Sequence, residues 1–238
     1  MEFRTITTKT NNFYKELVKI SKGKIKNKLL AEGEDLIEES YKNNSLEMII
    51  ISKKDSKLIE KYKDVEFILL SEELFKTLSS YMSLPEGIGV CKLNLVDKDF
   101  GNKVLYLDNL QDAGNVGTLI RSALSFGYSS VILSPDCVSI FSRKVIQASK
   151  GAIFSIKIGV KDLLELKDDY HIYTTTLDGE DERKFDKLDD PFILVLGNEG
   201  HGVRKEYQDI STKLKIEMNG IDSLNVSIAG SIFMYRFH

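Results

Sequence analysis

An α/β fold is what this 238-residue sequence predicts, on three observations. Short apolar runs at 46–51, 65–70 and 87–93 alternate with helix-patterned connectors, and a second alternation starts at 103. Two segments place glycines straight after an apolar run: Leu107-Asp-Asn-Leu-Gln-Asp-Ala-Gly-Asn-Val-Gly-Thr-Leu-Ile-Arg121 and Val195-Leu-Gly-Asn-Glu-Gly-His-Gly-Val203. Glycines there let a chain present backbone donors and acceptors at the carboxyl edge of a sheet. A third segment, Ile216-Glu-Met-Asn-Gly-Ile-Asp-Ser-Leu-Asn-Val-Ser-Ile-Ala229, has the same concentration of small and amide residues. Together the three predict one composite pocket, which a packed core alone would not need.

Taken in order, residues 11–21 read as a helix, with Phe13, Leu17, Val18 and Ile20 as a partial apolar stripe. Gly23, with Lys22, Lys24, Lys26 and Lys28, makes an exposed turn. A helix is expected at 30–41, then the three strands named above, separated by helical connectors at 54–62 and 72–80. The polar stretch 96–102 reads as a linker, dividing a domain at 1–96 from one at 103–238. The second domain opens with a strand at 103–108 and a helix at 116–126, whose Leu119, Ile120, Ala123 and Leu124 face inward. Gly127 ends that helix. A strand at 130–133, a helix at 142–150 and strands at 154–158, 171–175, 192–196 and 212–217 follow. Residues 178–190 hold seven acids and three bases and read as a solvated excursion. The last helix, 223–235, carries small Ser227, Ala229, Gly230 and Ser231, which permit close approach.

Composition narrows the function classes. A hydrophobic fraction of 42% supports a real core, and 29% charged residues describe a soluble surface. No apolar run has the length of a membrane helix, and the start of the chain lacks the apolar stretch of a signal peptide. The expected location is therefore the cytoplasm, with Cys91 and Cys137 as reduced thiols. With only His171, His201 and His238 as histidines, the composition argues against a structural zinc site, and no metal is expected. The net charge of −3 hides an asymmetry: residues 1–28 hold eight Lys or Arg against two acids, +6 in all, leaving −9 for the rest. A basic arm on an acidic body can engage nucleic acid locally, and a solubilising amphipathic helix accounts for it equally well. Neither a P-loop nor the Gly-x-Gly-x-x-Gly fingerprint occurs, which argues against a generic ATPase or dehydrogenase.

The candidate chemistry lies in the three segments. Asn115 stands where it could cap the first helix, and Arg121 offers a planar set of donors to phosphate or ribose oxygens. Taken alone, such an arginine is more often a surface ion-pair partner. Glu199, between Gly197 and Gly200, could orient the arginine or a substrate hydroxyl, or simply favour a helix start. His201 beside it reads as incidental. Ser223 is a good N-cap, and Asn225 could hold a loop backbone or a substrate atom. Leu224 and Ile216 could wall a flat heteroaromatic site.

The motifs together resemble the SpoU, or TrmH, family of RNA ribose 2′-O-methyltransferases, of the SPOUT class. They are Asn115-Val-Gly-Thr-Leu-Ile-Arg121, Leu196-Gly-Asn-Glu-Gly-His-Gly-Val203, and Ile216-Glu-Met-Asn-Gly running into Ser223-Leu-Asn-Val-Ser227, in family order over residues 103–236. Ala148-Ser-Lys-Gly-Ala-Ile-Phe154 is similar to a recurrent segment between the first two, with Lys150 a departure. The resemblance implies a Rossmann-like parallel sheet whose C-terminal segment forms a deep trefoil knot, working as a homodimer. It implies S-adenosyl-L-methionine as cofactor, held by Gly197, Ile216 and Leu224, with Gly200, Met218 and Thr175 or Thr176 beside them. It makes Arg121 the principal catalytic residue, with Asn115, Glu199, Ser223 and Asn225 around it. Residues 1–96 resemble, less distinctively, an L30e-like α/β RNA-binding domain, on Asn27-Lys-Leu-Leu-Ala-Glu-Gly33 and Val65-Glu-Phe-Ile-Leu-Leu70.

The expected function is thus methylation of a ribose 2′-hydroxyl in structured RNA, ribosomal RNA first. Arg121 would steady the developing alkoxide, and Lys22, Lys24, Lys26 and Lys28 would contact phosphates. Methylation of transfer RNA, methylation of a base atom, and an inactive RNA-binding protein of the same fold are the rivals.

Overall fold

The computed structural model describes residues 3–238, so Met1 and Glu2 of the basic stretch lie outside the described residues. In chain order the strands and helices are β1 (Arg4–Ile6), α1 (Asn12–Ser21), β2 (Lys28–Glu32), α2 (Glu34–Lys42), β3 (Leu46–Ile51), α3 (Leu58–Lys61), β4 (Glu66–Leu70), α4 (Glu72–Leu78) and β5 (Ile88–Lys92). They continue with β6 (Lys103–Leu107), α5 (Ala113–Ser125), β7 (Ser130–Leu133), α6 (Arg143–Ser149), β8 (Lys157–Val160), β9 (His171–Asp181), β10 (Phe192–Leu196), α7 (Lys205–Gln208), β11 (Thr212–Lys215) and α8 (Val226–Arg236). Two compact units result: Met1–Asn94 with Ser139–Phe154, and Leu95–Val138 with Ser155–His238.

The first unit is a five-stranded sheet in the order β1-β4-β3-β5-β2, parallel from β1 to β3 and antiparallel beyond. Alternation along its strands sends Ile50, Ile68 and Val90 into a core with Leu17, Ile20 and Phe75, while Ile49, Ile51 and Phe67 pack with Ile37 and Tyr62. Its N-terminal segment is not a free arm, because Arg4–Ile6 pairs with β4. Nor is 30–41 one helix. Leu29, Leu30 and Ala31 are all buried in β2, and Gly33 at φ +96 breaks the chain before α2 starts. An apolar run buried on both faces has no helical period to read.

The second unit is an all-parallel six-stranded sheet in the order β11-β9-β10-β6-β7-β8. From β6 the chain proceeds outward to β7 and β8; from β10 it crosses β9 to reach β11. The crevice beyond the carboxyl ends of β6 and β10 is therefore a topological switch point, where parallel sheets bind ligands. The apolar pattern predicts both strands, and all five residues of β10 are buried.

Several boundaries differ from the sequence expectation. Residues 139–154, within the span 103–238 expected as one domain, group with the first unit. The strand expected at 154–158 begins at Lys157, after a 3₁₀ turn at Ala152–Phe154. The acidic excursion begins later than 178, because β9 runs to Asp181 and pairs with β11 across a bulge. Asp112, not Asn115, caps α5, and Asn225, not Ser223, caps α8. Only Leu58–Lys61 is helical within 54–62. Leu124 is 38% exposed rather than inward-facing.

Candidate active site

The first motif begins where β6 ends. Asp108 follows Leu107 with no exposed surface, and Asn109 takes a left-handed turn at φ +55. Asp112 accepts from the Asn115 backbone N–H at 2.8 Å, so Asn115 sits within the first turn of α5 with its amide free to face the second motif.

The second motif folds on itself directly after β10. Asn198 and Gly202 exchange backbone hydrogen bonds of 3.1 and 2.8 Å, and Asn198 Oδ1 accepts from the backbone of Gly200 and His201. A Cβ at Gly197 would lie 2.2 Å from backbone atoms of Gly202 and Val203, so only glycine fits. Asn198 Nδ2 donates 2.8 Å to the Asn109 carbonyl, which ties this loop to the first.

An amide relay joins all three motifs. Asn115 Nδ2 donates to Glu199 Oε1 at 2.9 Å. Asn225 Nδ2 donates to Asn115 Oδ1 at 3.2 Å, while Asn225 Oδ1 accepts from the Ser227 backbone and hydroxyl at 2.9 and 2.6 Å. The cap of α8 thus fixes Asn225, which fixes Asn115, which fixes Glu199.

A cavity of about 510 Å³ opens beside this relay. Its walls are Leu196, Ile216, Met218, Leu224, Val226 and Phe233, and the backbone of 197–203 forms one rim. Thr175, Thr176, Gly197, Glu199, Gly200, Ile216, Met218, Ser223 and Leu224 all line it, whereas no residue of the first segment, 107–121, does, nor does Asn225. The Thr175 hydroxyl is used by the Val195 carbonyl at 3.1 Å. Arg121 does not line the cavity. It is exposed on α5, and its guanidinium has no hydrogen-bond or ionic partner among the described residues. Six residues of helix turn it roughly 120° away from Asn115 and about 9 Å further along the axis. Glu199 and Asn225 therefore orient Asn115 within this chain, and not Arg121 as expected. In the first unit Lys22, Lys24 and Lys26 are exposed, but Lys28 is half-buried and pairs with Glu47 at 3.2 Å and Glu16 at 3.8 Å.

Sequence reasoning missed a second polar centre below the loops. The Arg204 backbone N–H donates to Asp108 Oδ2 at 2.9 Å, and Arg204 Nε lies 2.8 Å from Asp108 Oδ1. Arg204 Nη2 reaches both Asp136 oxygens at 2.6 and 2.7 Å, and the guanidinium stacks on Tyr207. Burial raises the Asp108 carboxyl above its ordinary range, with Arg204 opposing the shift. Asp136 goes the other way: burial pushes it up, but bonds from Ser134 and Arg204 outweigh that and lower it. An acid placed directly after the buried run 104–107 was the available signal for Asp108. Asp178 and Asp222 also line the cavity and were missed: Asp178 sits in the stretch read as a solvated excursion, and Asp222 lies within the third segment but was given no role. Among the described residues no group of three or more His, Cys, Asp or Glu is arranged to hold a metal ion, and no helix is long and apolar enough to cross a membrane.

Comparison with known proteins agrees with this architecture. Residues 102–235, more than half of the chain, match the model of the SpoU rRNA Methylase family, and the chain belongs to that family. It is 28% identical over 218 residues, 88% of each chain, to the 23S rRNA (guanosine(2553)-2′-O)-methyltransferase RlmP of Bacillus subtilis. Two solved structures share its fold. The AdoMet-bound rRNA methyltransferase of Sinorhizobium meliloti superposes with a TM-score of 0.84 at 23% identity, covering 98% of this chain and 97% of the other. The SpoU methyltransferase AviRb of Streptomyces viridochromogenes, in complex with AdoMet, gives 0.86 at 20% identity, covering 95% and 96%.

Proposed function

We propose that this chain transfers a methyl group from S-adenosylmethionine to a ribose 2′-hydroxyl of structured RNA, with ribosomal RNA as the substrate. The observation that supports the reading is a single cavity lined by the second and third family motifs, to which the Asn225–Asn115–Glu199 relay ties the first. The B. subtilis relative, a 23S rRNA 2′-O-methyltransferase by name, supports the choice of atom and of RNA. The AdoMet-bound neighbours support the cofactor.

The cavity suits that cofactor. Its volume falls in the range of small-molecule sites, roughly 300–1,000 Å³. Apolar walls match a purine face, and the backbone of the 197–203 loop offers donors and acceptors to its edge. When bound, S-adenosylmethionine supplies a methyl group on a positively charged sulfur, open to in-line attack. The chain's own work is to hold the hydroxyl in line and to favour loss of its proton. Asn115 occupies one oxygen of Glu199, leaving the other to accept from the ribose hydroxyl or to receive a guanidinium. Arg121 stabilises the developing alkoxide through its planar set of donors rather than acting as a simple base.

Arg121 stands apart from its own cavity, which supports a homodimer in which each copy's Arg121 serves the other's site. Leu124 on α5 and Ile228, Ile232 and Tyr235 on α8 are exposed around it, 38%, 53%, 38% and 66% respectively. These side chains are candidates for the interface. Leu119 and Ala123, read from the sequence as inward-facing, are fully buried within the chain and are core. The close packing of Gly230 on Leu196 and Leu119, with both C-terminal loops lining one cavity, supports a threaded, knotted C-terminus. The first unit is read as the RNA-selecting part, and the cytoplasm as the place of action. Mass-spectrometric mapping of RNA from cells lacking the gene tests the whole reading. Loss of one 2′-O-methyl in ribosomal RNA is expected. Loss confined to transfer RNA would move the substrate, and an unchanged RNA methylation pattern would overturn the proposal.

A further inference from the structure

Residues 139–154 lie inside the span that matches the methylase family, yet they pack with the first unit. Val145 and Ile146 are buried there, and Arg143 acts as a three-way clamp. Its Nε donates to the Ser21 carbonyl at 3.1 Å, its Nη2 to the Leu78 carbonyl at 2.6 Å, and its Nη1 lies 3.4 Å from Glu32 Oε1. One guanidinium thus sets the lysine turn after α1 beside the loop after α4. The Gly23 backbone also closes on the Phe141 carbonyl, where a Cβ would come to 3.3 Å.

Glu32 makes the loop after α4 rigid. Its side chain is 2% exposed and accepts from Ser79 Oγ, Ser80 N and Ser80 Oγ at 3.0, 2.8 and 2.9 Å. Gln147 of α6 donates to the same Ser80 hydroxyl at 2.8 Å. This fixed loop pushes two large apolar side chains into solvent: Met82 is fully exposed and Tyr81 is 42% exposed. A loop held by four hydrogen bonds to display a thioether and a phenol is pre-organised for contact. Exposed Lys22, Lys24, Lys26 and Lys144 lie on the adjoining segments.

The geometry points to an RNA-binding platform on the first unit, in which Tyr81 and Met82 stack on an unpaired base while Lys22, Lys24, Lys26 and Lys144 take the flanking phosphates. A flat phenol and a polarisable thioether beside cations match the bases and phosphates of a single strand. The platform rests on the RNA-methylation reading and adds the kind of RNA feature that is selected, a base free of its helix.

Fluorescence anisotropy with a labelled large-subunit ribosomal RNA transcript, and a fully paired RNA duplex as control, tests it on the full-length chain. The Tyr81→Ala/Met82→Ala variant is expected to bind the transcript about tenfold more weakly, with the salt dependence and duplex binding unchanged. Lys22→Ala/Lys24→Ala/Lys26→Ala is expected to weaken both RNAs and flatten the salt dependence, by about one unit of slope for each phosphate left without its lysine. All the replaced side chains are exposed, and retained cofactor binding by calorimetry certifies the fold. Transcript binding by Tyr81→Ala/Met82→Ala equal to wild type overturns the platform while leaving the methyltransferase reading intact. A wild type that binds neither RNA nor S-adenosylmethionine overturns the reading beneath it.

Discussion

Arg121 and Asn115 sit on the same helix, six residues apart, yet they face different surroundings. Arg121→Ala should therefore leave the fold and cofactor affinity intact while lowering single-turnover methyl transfer by a factor of ~100 or more. Arg121→Lys should restore little, since an ammonium lacks the planar donor set. Asn115→Ala acts differently, because it releases Glu199 and Asn225 together. Its effect on the rate and that of Glu199→Gln should overlap rather than add, which a double-mutant cycle of rates would show. A full sum of the two effects would mean the relay is not a unit. Asp108 belongs to stability. Asp108→Asn leaves Arg204 half-buried with one partner fewer, and urea unfolding should report a loss of about 1–3 kcal/mol. Asp136, whose carboxyl is lowered, contributes stability that is present above the ordinary aspartate range and fades as acid carries the pH below it.

At the scale of elements, the steric demands are concentrated where loops meet strands. Gly197→Val would drive a side chain into the backbone of Gly202 and Val203, so the loop cannot close and cofactor binding by calorimetry should be lost. Gly230→Leu would strike Leu196 and Leu119 and should part α8 from α5, lowering the melting temperature. Affinity unchanged in folded Gly197→Val would remove that loop from the site. These are also the places where the sequence was most legible. A glycine directly after a buried strand has few physical uses, and residues 197, 200, 216, 218 and 224 line one cavity, while the first segment, expected to share it, does not. The parallel strands β6 and β10 were readable for the same reason, since continuous apolar runs bounded by turn residues have one simple solution. The strand at Lys28–Glu32 was not readable, because Leu-Leu-Ala suits a helix equally well and only antiparallel pairing with β5 decides. The relay was half readable: Asn115, Glu199 and Asn225 stood out as residues, but side-chain pairing across 84 and 110 residues of sequence leaves no local signal.

For the whole molecule, the grouping of 139–154 with the first unit changes how the chain can be cut. Removing residues 1–96 would expose Ile140, Phe141, Val145 and Ile146, all buried at present, and strip Arg143 of its partners. Such a truncation should aggregate or unfold, so separate roles of the two units are better tested by point variants. The uncovered apolar side chains of α5 and α8 predict a homodimer, with a light-scattering mass about twice the 27.0 kDa of one chain. Ile228→Glu/Ile232→Glu should yield monomers that bind cofactor but transfer no methyl group, because Arg121 would then lack a site to serve. An active monomer would return Arg121 to its own cavity. The central claim, transfer to a ribose oxygen, is tested most directly by incubating the protein with ribosomal RNA and methyl-labelled S-adenosylmethionine, then digesting the RNA to nucleosides for mass spectrometry. The account predicts the label in a 2′-O-methylribonucleoside, abolished by Arg121→Ala; label on a base, or label undiminished in that variant, would contradict it.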